Sequence, residues 1–290
     1  MTITEANYFS IRSNLLHKEQ SKILAIEQKY MQFLLDVLLS AASTIYYDFS
    51  QAMELKPFWV NYSPVQRGRS PRGTSIPWGE VGEKTISASL IRAISLKEPS
   101  ITYPGLPLGG DIRFAADDAL IHLDIKLTGP NDNPDEIVAS PHQVSGDGLF
   151  WQNGVFNSPV KVAGSKAEMN FQPELPPFYV LDNRILLCLT YFIKAVYIVK
   201  DLGIQPLHYF ELVSVPNGLL LFDGPNYAQT RGLFIPGKDI RKHPKKRTRI
   251  RLAPLATLDD WRCIKIEQID TEWCAMTRSN ISQLPHPPIA

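Results

Sequence analysis

The chain has 290 residues, of which 44% are hydrophobic and 20% charged, a balance typical of globular proteins that excludes a disordered chain. At this length roughly 75% of the unfolded surface is buried on folding, so the core needs no disulfide or metal support. The 30 basic and 29 acidic residues give a net charge of +1, which by itself does not indicate a nucleic-acid partner.

The cysteines and the N-terminus indicate a protein that keeps its thiols reduced and is not secreted. The three cysteines form no Cys-x-x-Cys pair, which argues against both a disulfide framework and a structural zinc site. The N-terminus lacks the basic start and apolar run of a secretory signal. The longest apolar stretch, Ile185 to Val199, is too short to span a bilayer. We therefore expect a soluble, cytoplasmic protein.

The N-terminal part of the chain is predicted to be helical. From Ser13 to Met53, apolar residues recur mostly at three- and four-residue steps and make one stripe. A second helix is predicted from Glu80 to Leu96. The proline-rich segment between them, Lys56 to Trp78, is either a solvated loop or a loop that lies along phosphates. Its three arginines are Arg67, Arg69 and Arg72.

The segment from Leu120 to Leu127 has the alternation of a β-strand. Because side chains of a strand alternate between faces, Asp124 and Lys126 project together, and a further acid, Asp111, lies upstream after a glycine-rich turn. Two neighbouring carboxylates can hold Mg²⁺, which prefers oxygen ligands. A lysine beside them can orient or activate water and neutralise developing charge. An acid, a gap and then Asp-x-Lys on a strand is the pattern of PD-(D/E)xK nucleases.

The choice of first acid remains open at this level. Asp117 and Asp118 compete with Asp111, and the proline that usually precedes the first aspartate is replaced by Gly110. Asp-x-Lys alone also occurs on many solvated strand faces, so the pattern needs support from its context.

The remainder of the chain is predicted to complete a mixed sheet. Arg184 to Val199 is a buried strand or helix, which periodicity does not decide, and strands are predicted at Tyr209 to Val215 and Gly218 to Phe222. The histidines nearest the Asp-x-Lys strand, His122 and His142, are more often structural than phosphate-binding. No linker is visible, so we expect one domain over residues 1–290, of α/β class, with a mixed central sheet flanked by helices. Its parts would be a helical region at 13–53, a core at 80–128 and a basic segment at 234–252.

Several strings along the chain resemble, in the same order, the BglI family of type II restriction endonucleases. They are PFWVNYSPVQRGRSPRG, IPWGEVGEK, GLPLGGDIR, DIKLTGP, SPHQVSGDG, SVPNGLLLF, FIPGKDIRK and KRTRIRL. The resemblance covers roughly residues 56 to 252. It implies a PD-(D/E)xK core and a homodimer that cuts both strands of double-stranded DNA at an interrupted, GC-rich palindrome. It also implies Mg²⁺ as cofactor, with Mn²⁺ able to substitute, and a cognate DNA methyltransferase in the host that is not a physical partner.

The resemblance also implies roles for individual residues of the catalytic site. The family's catalytic trio falls on Asp111, Asp124 and Lys126, and the main-chain carbonyl of Ile125 would be a further metal ligand. Glu83 matches an acid on a helix near the active site and is carried over as an accessory group.

Base recognition in the family is carried largely by a late segment. Its lysine falls on Lys238 and its two arginines on Arg247 and Arg249, and arginine paired with guanine is the commonest specific contact. The family's aspartate after that lysine is replaced here by Ile240. Either Asp239, one residue earlier, takes over that contact or the contact is lost.

The charge is concentrated in the same segment. Between Lys238 and Arg251 there are eight basic residues and one acid, a local charge of +7, so the other residues together carry −6. Local charge density governs the attraction of phosphates.

Two alternatives to a restriction enzyme stay open: a nuclease that cuts by DNA structure in repair or recombination, and a DNA-binding protein without activity.

Overall fold

The computed structural model describes residues 3–59, 78–164, 168–201, 204–222, 232–237 and 247–278. Its helices are α1 Glu5–Lys18, α2 Gln20–Glu54, α3 Lys56–Trp59, α4 Trp78–Lys97, α5 Gly218–Leu221 and α6 Leu252–Leu258. Its strands are β1 Ile112–Ala115, β2 Ala119–Thr128, β3 Glu136–Ala139, β4 Phe150–Trp151, β5 Val155–Phe156, β6 Val160–Ala163, β7 Glu168–Phe171, β8 Phe178–Leu181, β9 Arg184–Tyr197, β10 Leu207–Val215, β11 Phe234–Pro236, β12 Thr248–Arg251, β13 Cys263–Ile269 and β14 Glu272–Thr277.

The N-terminal region is helical, as its periodicity predicts, but it forms two helices. Thr4 begins α1, where its side-chain oxygen accepts a hydrogen bond from the amide of Asn7 at 3.3 Å. The break lies at Glu19, whose amide donates to the carbonyl of Asn14 at 3.2 Å. The second predicted helix is contained in α4.

The main sheet of the described residues has seven strands in the order β1-β2-β9-β10-β13-β14, with β8 also paired to β9. Strands β2 and β9 run parallel, and the other pairs are antiparallel. The predicted mixed sheet with helices is therefore confirmed. The apolar run from Arg184, which periodicity left open, is strand β9.

The two faces of the sheet pack into different cores. Helices α2 and α4 cover one face, where Ile121, Leu123 and Ile125 of β2 are buried. On the other face, Phe192 of β9 packs in a second cluster together with Ile250 of β12. Strand β12 belongs to a small sheet of order β11-β12-β3. The polar side chains of β2 thus point towards the side of the sheet that holds the basic segment.

The prediction of a strand from Gly218 to Phe222 is wrong, because Gly218–Leu221 form the short helix α5 and Phe222 caps its C-terminus. Asn217 starts this helix: its side-chain oxygen accepts from the amide of Leu219 at 3.0 Å, and its amide group donates to two main-chain carbonyls. All four residues of the helix are buried. A continuous apolar run has no periodicity that separates a buried turn of helix from a buried strand.

The structure also describes the cysteines and the lengths of the helices. Cys188, Cys263 and Cys274 are all free thiols, and the first two are buried. Across the described parts of the chain, every helix is too short or too polar to be a membrane span.

Candidate active site

Asp111 and Asp124 come together beside the C-terminal half of β2. The Oδ2 atom of Asp111 accepts a hydrogen bond of 2.7 Å from the amide of Ile125, the residue that follows Asp124. Lys126 Nζ lies 2.5 Å from Asp124 Oδ2. The structure therefore places the three side chains of the Asp, Asp-x-Lys pattern in one group, with the main chain of Ile125 between them.

Glycine at position 110 makes this approach possible. A Cβ atom built on Gly110 would lie 2.4 Å from the carbonyl oxygen of Leu123 and 2.9 Å from the amide nitrogen of Asp124. The preceding Gly109 has φ +107°, a left-handed conformation that favours glycine. The chain before Asp111 thus passes directly against the backbone of β2, which accounts for a glycine where the nuclease pattern usually has proline.

We expect Gly110→Ala to destabilise the protein by about 1–3 kcal/mol, because the added methyl group meets backbone that has to shift. Cleavage activity should fall with it, since Asp111 moves with the turn. Urea denaturation and an initial-rate assay measure the two effects. Gly105→Ala is the matched control, because a Cβ there has no neighbour within 4 Å. Equal stability of the two variants would contradict this account of Gly110.

The competing acids lie elsewhere. Asp118 is at the opposite end of β2, where its carboxylate accepts hydrogen bonds from Lys29 at 2.9 Å and from the hydroxyl of Tyr30 at 2.5 Å. Asp117 is exposed, with one carboxylate oxygen 3.7 Å from Arg184. Neither contacts the Asp-x-Lys residues, so the geometry favours Asp111 as the first acid.

Asp124 occupies a nearly closed environment. Its side chain is 4% exposed, against 28% for Lys126. Burial raises the pKa of Asp124 to about 6, a shift that Lys126 opposes and Asp111 reinforces. Its Oδ1 atom accepts a short hydrogen bond from the side-chain amide of Gln143, while its buried Oδ2 accepts no well-aligned hydrogen bond from any described residue. One oxygen is therefore held by protein, and the other is turned towards Lys126.

Three further candidates differ in their surroundings. His122 is fully buried, and its Nε2 lies 3.0 Å from the hydroxyl of Tyr179; burial and then Arg113 lower its pKa to about 3. It is a structural, neutral histidine. His142 lies in a short 3-10 turn, Pro141–Gln143. Glu83 is half-buried on α4, next to Gly82, which packs against Leu127 of β2.

A cleft of about 300 Å³ joins Lys126 to the basic segment. Arg247 and Arg249 line it together with Glu136 and Ser140. Because Thr248 and Ile250 are buried on one face of the strand, the arginines that alternate with them lie on the opposite face, which lines the cleft. The two predicted recognition arginines therefore share one cleft with the predicted catalytic lysine.

Glu136 is a cleft residue that the sequence pattern does not reveal. It forms a short ion pair with Arg249, in which the two side chains are 17% and 15% exposed. Its strand, β3, follows β2 in the chain and pairs with β12. The pair therefore ties the recognition arginine to the segment that leaves the catalytic strand.

A buried network of charged residues contacts the segment between β2 and β3. Lys194 of β9, the register partner of Lys126, is fully buried and donates a short hydrogen bond to the carbonyl of Pro134. Arg278 bridges Glu211 at 2.5 Å and Asp135 at 2.8 Å. Burial lowers the pKa of Lys194, and Glu211 opposes that shift. In the sequence, the lysine within the apolar run of β9 indicates this network.

Several residues that are predicted to contact DNA do not belong to the described part of the chain. Lys238, Asp239 and Ile240 lie outside the described residues, and so do the three arginines of the proline-rich segment, Arg67, Arg69 and Arg72. The roles assigned to them remain predictions.

Comparison with known proteins identifies the family of this chain. Residues 4–266 match the family model described as restriction endonuclease BglI. The chain is 36% identical over 252 residues to the type II restriction enzyme BglI of Bacillus subtilis, covering 78% of this chain and 84% of that protein. It is also similar to the crystal structure of BglI bound to its DNA recognition sequence, with a TM-score of 0.79, 35% identity and coverage of 90% and 95%.

A more distant likeness shows the fold alone. The tetrameric restriction endonuclease SfiI bound to cognate DNA matches with a TM-score of 0.57 and 12% identity, covering 89% of this chain and 94% of that one. The family match and the 36% identity go further. They confirm what the collinear motifs predict: this chain belongs to the BglI family of type II restriction endonucleases.

Proposed function

We propose that the protein hydrolyses phosphodiester bonds of double-stranded DNA in a Mg²⁺-dependent reaction, at an interrupted and GC-rich palindromic site related to that of BglI. The observation that carries the proposal is the grouping of Asp111, Asp124 and Lys126 beside a cleft lined by Arg247 and Arg249. The match to a relative solved with its DNA recognition sequence supports the substrate.

The residues present fit a magnesium ion. Among the described residues no group of three His, Cys, Asp or Glu side chains forms a closed metal site. Mg²⁺ does not need one, since it is usually bound by one or two carboxylates and keeps several waters. Asp124 Oδ2, the buried carboxylate oxygen that faces Lys126, would be one ligand. Asp111 and the carbonyl oxygen of Ile125 would be others, with Mn²⁺ able to substitute. When bound, the ion would polarise a phosphoryl oxygen and lower the pKa of a bound water.

The protein's own groups have distinct tasks in this reaction. Lys126 forms an ion pair with Asp124 and is partly exposed in the cleft, so it can orient the attacking water and neutralise charge that develops on the phosphate. Asp111 is fixed by the amide of Ile125. The half-buried Glu83 serves as an accessory acid on α4.

Recognition would be divided between base edges and phosphates. Arg247 and Arg249 are proposed to read guanines, with Lys238 and Asp239 contacting further bases, while Arg67, Arg69 and Arg72 would lie along the backbone. A palindromic site implies a homodimer, because each subunit reads one half of it. The cellular setting would be the cytoplasm, with a separate methyltransferase that protects the host's own sites.

Digestion of a long plasmid with Mg²⁺, followed by sequencing of the ends, tests this function. Discrete fragments with one common end sequence are expected and would give both the site and the stagger of the cut. A smear, or cutting only at branched junctions, would favour a structure-directed nuclease. Failure to cut any DNA with Mg²⁺ or Mn²⁺ would overturn the enzymatic proposal.

We expect Arg247→Ala to weaken binding to the cognate site by about 1–3 kcal/mol and to relax base discrimination, because a base-reading arginine makes contacts that other sequences lack. Competition binding with cognate and random duplexes measures the effect. Arg184→Ala is the control, since this arginine lies near Asp117 at the other end of β2. An equal loss on random DNA would instead identify Arg247 as a phosphate contact.

A further inference from the structure

Gln143 is the described residue whose side chain fixes the orientation of Asp124. It lies in the 3-10 turn Pro141–Gln143 and is 7% exposed. Its amide nitrogen donates a short hydrogen bond to Asp124 Oδ1, on the opposite carboxylate oxygen from Lys126. Nothing in the Asp-x-Lys pattern requires this residue, although Ser140 and Gln143 have the spacing of a capping box.

The capping box determines which end of the glutamine amide faces Asp124. Gln143 Oε1 accepts a hydrogen bond of 2.9 Å from the amide of Ser140, which leaves the NH₂ group to point towards the carboxylate. The reverse orientation would bring the carbonyl oxygen against Asp124 and lose both bonds. The donor is thus selected by the backbone of the turn.

The turn itself is held from several sides. The amide of Gln143 donates to the carbonyl of Ser140 at 3.0 Å, and the amide of Glu174 donates to the carbonyl of Pro141 at 2.9 Å. Two residues on, the hydroxyl of Ser145 accepts from the amide of Gly218 at 2.9 Å. The position of the side-chain amide of Gln143 is therefore set by hydrogen bonds of the main chain on both sides of this residue.

We propose that Gln143 is a positioning residue of the active site: it binds Asp124 Oδ1 so that the buried Oδ2 is directed towards a divalent cation and Lys126. This inference rests on the proposed function, in which Asp124 is a metal ligand. Gln143 donates without adding charge, so Lys126 remains the nearest cation to the carboxylate. Groups that orient a metal ligand in this way typically contribute about 10–100-fold to metal affinity or activity when they are removed.

Gln143→Met tests the proposal, because methionine is similar in length and unbranched but donates no hydrogen bond. With a duplex that carries a cut site found by end sequencing, we expect the dissociation constant for Mn²⁺, measured by electron paramagnetic resonance, to rise about 10–100-fold. The Mg²⁺ concentration that gives half-maximal cleavage should rise in parallel. The matched control is Gln205→Met, since Gln205 is also a buried glutamine but its side chain makes no hydrogen bond to a described residue.

The outcomes separate this inference from the proposed function. Wild-type protein that neither binds Mn²⁺ nor cuts DNA would overturn both. Wild-type protein that does both, with Gln143→Met matching it in metal affinity, would overturn the role of Gln143 alone, as would an equal loss in Gln205→Met. If Gln143→Met fails to give a cooperative thermal transition, Gln143→Asn decides: its amide is one methylene shorter, and the same weakening of Mn²⁺ binding is expected.

Discussion

Lys126→Ala is expected to abolish cleavage while DNA binding is retained. Lys126 Nζ lies 2.5 Å from Asp124 Oδ2, and its side chain is the part of the group that reaches the cleft. Removal of a positioned group that stabilises transition-state charge typically lowers the rate by about 10²–10³-fold or more. Binding should persist, because Arg247 and Arg249 line the same cleft and are unchanged. Single-turnover cleavage and a gel-shift titration give the two quantities.

An exposed lysine, Lys161, supplies the control for Lys126→Ala. Lys161→Ala removes an exposed lysine of β6 whose partner is Glu168, and it should leave the rate unchanged. Parallel loss of cleavage and binding in Lys126→Ala would mean that Lys126 has a structural role. Asp124→Asn complements the test: unchanged behaviour would support a DNA-binding protein without activity.

The alternation of β2 predicts the shared face of Asp124 and Lys126 because a strand has a fixed period. It does not select the first acid. Asp111, Asp117 and Asp118 are close in sequence, and only the pairing of β1 with β2 shows that the latter two lie at the far end of the strand. The register of Ile112 with Leu123 is what brings Asp111 to the amide of Ile125.

Other parts of the site depend on contacts between distant segments, which composition and period do not encode. Gln143 reaches Asp124 because the chain after β3 folds back onto β2, and Glu136 reaches Arg249 because β3 pairs with β12. Gly218, in the string SVPNGLLLF that resembles the family, donates from its amide to the hydroxyl of Ser145, two residues after Gln143. In each case the two partners belong to different segments, which only the tertiary fold brings together.

A buried ion pair joins α2 to the turn before β13, and breaking it should be costly. Arg262 donates to Glu27 Oε2 at 2.7 Å and to Asp259 at 2.7 Å, and Glu27 Oε1 accepts from the amide of Asn217 at 2.5 Å. Glu27 and Arg262 are only 1% and 2% exposed. The pair thereby links α2 to the start of α5 and to the turn before β13.

We expect Arg262→Met to lower the free energy of unfolding by about 3–5 kcal/mol, because it leaves the buried carboxylate of Glu27 without its cation. Adding Glu27→Met should recover much of that loss, since a buried pair replaced by apolar residues is often neutral or stabilising. Urea denaturation of the two single variants and the double variant gives the coupling energy. The exposed pair of Lys22 and Glu19 supplies the control: Lys22→Met should cost about 0–1 kcal/mol. A loss in Arg262→Met no larger than in Lys22→Met would show that the buried carboxylate of Glu27 does not depend on Arg262 and would contradict this prediction.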